Sequence, residues 1–164
     1  MQKERLKKIY SDYLEIICPL IASHELLENK FPVGILNEIR ALLTHIAKAE
    51  STDGETRDRE IAKAESHVTR LQRDCYKYNC VALERKYVEY MKHLQANPVE
   101  NLSILGLVKT HEAAIDALFV AKTLESSIES YSRETEIYEN YKKAYDLYNE
   151  IRASVCTAIK ATDC

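Results

Sequence analysis

Glycine and proline are scarce enough to exclude a fold built from many strands and tight turns. Three of each occur in 164 residues, against a combined share of roughly 12% in average proteins. These two residues supply the backbone conformations and breaks that reversals require, so long uninterrupted stretches must be helical. The expected fold class is all-α, a helical bundle of four to five helices in a single domain. No apolar run approaches the roughly 20 residues that a transmembrane helix needs. The opening MQKERLKKIYSDY lacks the apolar centre of a secretory signal. A cytoplasmic protein without membrane contact is expected.

Periodicity places the helices. Leu6, Ile9, Tyr10, Tyr13, Ile16, Ile17, Leu20, Ile21 and Leu27 recur at spacings of three and four, which predicts a helix over 3–29 with a kink at Pro19. Pro32 suits the first turn of a second helix running to residue 49, with Ile35, Leu36, Ile39, Leu42, Leu43, Ile46 and Ala47 as one apolar stripe. The polar stretch 50–56 carries Asp53-Gly54 and reads as a turn. A third helix over 57–95 follows, with Ile61, Val68, Leu71, Cys75, Tyr78 and Ala82 on one face.

Asn97-Pro98-Val99-Glu100 has the form of a helix start, with an N-cap Asn, Pro next and Glu at the third position. Beyond Gly106, Ile137, Tyr141, Ala144, Tyr148, Ile151, Val155 and Ala158 alternate in steps of four and three, a coiled-coil-like spacing. Residues 110–162 are either one helix or two with a break at 130–132. The organisation expected is a bundle core over 1–97 and a helical arm over 98–164 that packs back on it or dimerises.

The net charge of −3 conceals an acidic excess in the arm. A surface that coats nucleic acid through counterion release is therefore excluded, and any RNA contact is local. Cys18, Cys75, Cys80, Cys156 and Cys164 form no C-x-x-C pair and read as reduced thiols. No Gly-rich phosphate loop, HExxH, GxSxG or EF-hand loop is present, nor the paired Glu-x-x-His of a di-iron bundle. Neither a metal nor a cofactor is expected.

The constellation with chemical potential is Arg40-Ala41-Leu42-Leu43-Thr44-His45 on the second helix. At ~100° per residue Arg40 and His45 lie about 140° apart, flanking a polar face with Asn37 and Thr44. Glu38 precedes His45 by seven residues, on nearly the same side, where it can orient the imidazole. A neutral His can take the proton of an RNA 2′-hydroxyl while a permanently charged Arg stabilises the attacked phosphate.

This Arg-x4-His pair in an all-helical setting resembles the HEPN motif of bacterial defence and toxin systems. The resemblance implies a metal-independent endoribonuclease, with His45 as general base and Arg40 as phosphate binder, in a site assembled across a homodimer. Its products would be a 2′,3′-cyclic phosphate and a 5′-hydroxyl. The competing expectation is a non-enzymatic interaction or regulatory module that binds a protein partner through the arm.

On the third helix His67, Arg70 and Asp74 fall at i, i+3 and i+7. They read as an Arg70–Asp74 surface ion pair beside a His at the core edge, or as residues supporting the Arg40/His45 groove. With an antiparallel turn at Asp53-Gly54, His45 and His67 are expected several helical turns apart. His24 has core spacing, while His93 and His111 read as surface residues. Cys75 and Cys80 suit core packing, and Cys164 an exposed end. Eleven tyrosines, among them Tyr131, Tyr138, Tyr141, Tyr145 and Tyr148 of the acidic arm, suit helix packing or a partner interface better than RNA stacking.

Overall fold

The computed structural model describes residues 2–100, 102–128, 130 and 132–162, with side chains through Lys160. The described residues are all-α, and no strand occurs among them. The helices are α1 (Gln2–Asp12), a π-helical turn (Tyr13–Ile17), α2 (Cys18–Glu28), α3 (Val33–Glu50), α4 (Gly54–Ala96), α5 (Ile104–Glu125) and α6 (Glu134–Thr162). Two compact units divide inside α4, between Tyr78 and Asn79.

Pro19 produces a π-helical turn where a kink was expected. It cannot donate to a carbonyl, and its ring crowds the carbonyl four residues back. The preceding turn widens so that the Cys18 N–H bonds the Tyr13 carbonyl five residues away, and α2 continues with Pro in its first turn. α2 stops at Asn29, whose left-handed backbone (φ 51°) lets its N–H bond the Glu25 carbonyl.

In the first unit, α3 runs antiparallel to both α1–α2 and the first part of α4. Arg5 of α1 binds Glu65 of α4 at 2.8 and 2.6 Å, and the His24 ring of α2 meets the Tyr78 ring edge-on at 5.9 Å. Leu6, Ile9, Ile17, Leu20, Ile35, Leu42, Ile61, Val68, Leu71 and Cys75 are buried. The expected α3 stripe is narrower in the structure: Ile35 and Leu42 are buried, but Leu36 and Leu43 are more than half exposed. The α3–α4 reversal needs only Ser51 to Asp53, because Gly54 adopts φ +57°, strained for any residue with a Cβ.

In the second unit, the last part of α4 packs with α5 and α6. Residues 104–162 are two helices forming an antiparallel hairpin, with the break between Glu125 and Glu134. Of the coiled-coil-like series, Ile137, Tyr141, Ala144, Tyr148, Ile151 and Val155 are buried in this unit and Ala158 is half-buried.

The Asn97–Glu100 signature does not start a helix. Asn97 instead closes α4, its backbone N–H bonding the His93 carbonyl at 2.8 Å and its side-chain amide the same oxygen at 3.2 Å. α5 begins after Ser103, whose hydroxyl accepts from the Gly106 N–H at 3.0 Å. Cys75 and Cys80 are fully buried and His93 is exposed, while Cys164 and Tyr131 lie outside the described residues. His111 is partly exposed but not free: its ring stacks on Tyr87 at 3.8 Å and its Nε2 bonds Glu84 at 2.8 Å. No described helix is long and apolar enough to cross a membrane.

Candidate functional site

The short reversal after α3 sets α3 and α4 side by side, and two Glu–His pairs bridge them. His45 of α3 bonds Glu60 of α4, Nδ1 to Oε2 at 2.7 Å. One heptad further, the polarity reverses: Glu38 of α3 bonds His67 of α4, Oε2 to Nδ1 at 2.7 Å. Seven residues is two helical turns, so both members of each pair face the same groove.

The two imidazoles meet. Their centroids are 5.1 Å apart and their planes 19° from parallel. The expected separation of several turns is thus wrong. It counts backbone rise alone, about 10 Å for a heptad, and neglects the tilt of every Cα–Cβ bond toward its helix N-terminus. In antiparallel helices those tilts oppose, so His45 and His67 lean toward each other.

Glu60 is a buried carboxylate, its side chain 7% exposed. The Lys63 ammonium at 2.7 Å and the His45 bond hold its carboxyl at about 2, against the burial that would raise it. Glu38 is burdened by partial burial, which raises its pKa, but the bonds from His67 and Arg70 outweigh that and bring it below the ordinary value. Fixed on Nδ1 by an ionised carboxylate, His45 keeps Nε2 as its open ring nitrogen. Among the described residues nothing bonds that atom, and the side chain is 18% exposed.

Other expected site residues are placed differently. Glu38 orients His67, not His45. Arg70 pairs with Glu38, Nε to Oε2 at 3.2 Å, and not with Asp74, whose carboxylate meets Arg73 at 3.3 Å. Arg40, Asn37 and Thr44 are exposed, and the Thr44 hydroxyl donates to the Arg40 carbonyl at 2.8 Å. Among the described residues no hydrogen bond, ion pair or ring contact joins Arg40 to His45.

Glu60 and Lys63 are the members that motif reading passes over. Their signal lies in pairing rather than in a motif: Glu38 and His45 are seven apart, as are Glu60 and His67, in the same order, so the chain reversal sets each Glu opposite the other helix's His. Among the described residues no group of three or more His, Cys, Asp or Glu side chains is placed to hold a metal ion. No family model, curated protein or solved structure matches the chain.

Proposed function

We propose that the first unit is a metal-independent endoribonuclease of a bacterial defence or toxin system, with His45 as general base. The observation that carries this reading is the His45–Glu60 bond. A buried carboxylate on Nδ1 fixes the tautomer and leaves the Nε2 lone pair for a substrate proton. In the reaction, His45 Nε2 takes the proton of a ribose 2′-hydroxyl and the 2′-oxygen bonds to phosphorus. The bond from phosphorus to the 5′-oxygen breaks, and the 5′-oxygen leaves with a proton returned by the imidazolium. Arg40, exposed on the same helix, binds substrate phosphate. Assembly across a homodimer belongs to the same proposal.

The test is cleavage of labelled single-stranded RNA and transfer RNA in EDTA, with His45→Ala and Arg40→Ala variants of confirmed fold. Cleavage with cyclic-phosphate and 5′-hydroxyl ends, lost in both variants, is the expected result. A wild-type protein inactive on both substrates at high concentration ends this reading.

A second reading is favoured by α5. Leu107, Ala114, Ala117 and Leu124 are buried, yet Leu105 and Phe119 are 65% and 70% exposed. A helix apolar around much of its circumference is suited to contacts on both sides. On this reading the second unit is an interaction module for a protein partner, with α5 and not the α6 tyrosines as its contact surface.

A further inference from the structure

The chemistry around His45 extends across the groove to α4. Both imidazoles commit Nδ1 to a carboxylate; among the described residues His45 Nε2 has no partner, and His67 Nε2 is met by Arg70. The rings come from facing helices and stack nearly parallel, so one ligand can reach both. Arg70 Nη2 is 2.8 Å from His67 Nδ1 and 3.3 Å from its Nε2. Near-equal distances to both ring nitrogens put the guanidinium over the ring face rather than along a lone pair. Its Nη1 makes no hydrogen bond with a described residue, and the side chain is 39% exposed.

Charge decides what such a cluster binds. Glu60 is already met by Lys63 and Glu38 by Arg70, so neither carboxylate is left to repel an anion. A guanidinium against the ring is an unfavourable neighbour for a metal cation and a favourable one for a tetrahedral oxyanion. We infer that His45, His67 and Arg70 form a phosphate-binding site, in which Arg70 donates to the phosphate oxygens and each Nε2 accepts from a P–OH or, when the ring is protonated, donates. Resting on the ribonuclease reading, that phosphate is the scissile one, held by Arg70 against His67, while Arg40 binds a neighbouring phosphate of the same RNA.

Inorganic phosphate is the probe. In the full chain labelled with 15N, long-range proton–nitrogen spectra of the imidazoles report each Nε2 directly. Phosphate is expected to shift the His45 and His67 Nε2 signals along a saturable curve. Arg70→Met should weaken that affinity roughly tenfold to a hundredfold, the range for a lost hydrogen bond to a charged group. Arg59→Met, at an exposed position on the same helix, should bind as the wild type does. If Arg70→Met disturbs the fold, Arg70→Lys keeps the charge, removes the fork and should still bind several-fold more weakly.

The absence of a saturable shift at either imidazole overturns the inference. So does unchanged affinity in whichever Arg70 variant folds. Phosphate binding without RNA cleavage leaves the site standing and overturns the nuclease. RNA cleavage that Arg70 variants leave untouched does the reverse.

Discussion

The imidazoles of His45 and His67 stack 5.1 Å apart although their backbone positions lie a heptad apart in the α3–α4 register. Each is held on its outer side by a glutamate from the opposite helix. The stack therefore depends on two inter-helix bonds of inverted polarity, and its energetics and any catalysis are coupled through them.

Glu60→Gln should separate orientation from mere packing. The amide is nearly the same size, but its NH2 can bond the unprotonated face of Nδ1 and so favour the other tautomer, turning the base nitrogen away from substrate. On the ribonuclease reading, kcat should fall by roughly 10²-fold or more with little change in KM, as for other carboxylate-oriented imidazoles. Steady-state cleavage of a fluorogenic ribonucleotide checks this. A variant with unchanged kcat would remove Glu60 from the mechanism.

The same carboxylate shapes acid stability. Glu60 titrates near 2 in the folded protein against an ordinary value of 4.5, so its pairing stabilises the fold fully above about pH 4.5. That contribution is lost as pH falls toward 2, because the unfolded chain takes up the proton first. Urea unfolding of wild type and Glu60→Gln should show a stability gap at pH 5 that narrows by pH 2.5. A gap that stays constant would mean the variant acts through packing alone.

These two residues also show where sequence reading stops. The helices are legible because burial imposes a 3.6-residue period on Leu, Ile and Val, and a Gly at Asp53-Gly54 marks the reversal. The Glu–His pairs are less so, since each joins two helices and follows from register plus side-chain tilt, neither of which is local. Asn97-Pro98-Val99-Glu100 misleads for a related reason. An Asn that can cap a following helix can equally cap the preceding one, and only Ser103, three residues before Gly106, identifies the actual start. Arg40 is legible as a motif member, whereas Arg70 gains its significance only from the partner it finds across the groove.

Cysteine reactivity offers an independent check on the two cores. Burial, then the charge of Asp74, pushes the Cys75 thiol up to about 12, and burial, then Asp146, does the same for Cys80. Neither forms appreciable thiolate near neutrality. In native protein at pH 8, iodoacetamide should spare both and modify the partly exposed Cys18 and Cys156, with all five cysteines of the chain reacting in denaturant. Peptide mass mapping reads the result. Rapid native labelling of Cys75 would show that the first unit opens at little cost.

Tyr148 tests the polar cluster that locks the second unit. It is buried, and its hydroxyl donates to Glu84 Oε2, the same oxygen that His111 Nε2 approaches at 2.8 Å. Tyr148→Phe removes that charge-assisted bond without opening a cavity, and should cost about 1–3 kcal/mol in unfolding free energy. Because His111 and Tyr148 share one acceptor atom, their effects should not add. In a cycle of Tyr148→Phe, His111→Phe and the double variant, the double loss should differ from the sum of the singles by at least about 0.5 kcal/mol. Strict additivity would mean that the two donors contribute separately and that Glu84 does not couple α5 to α6.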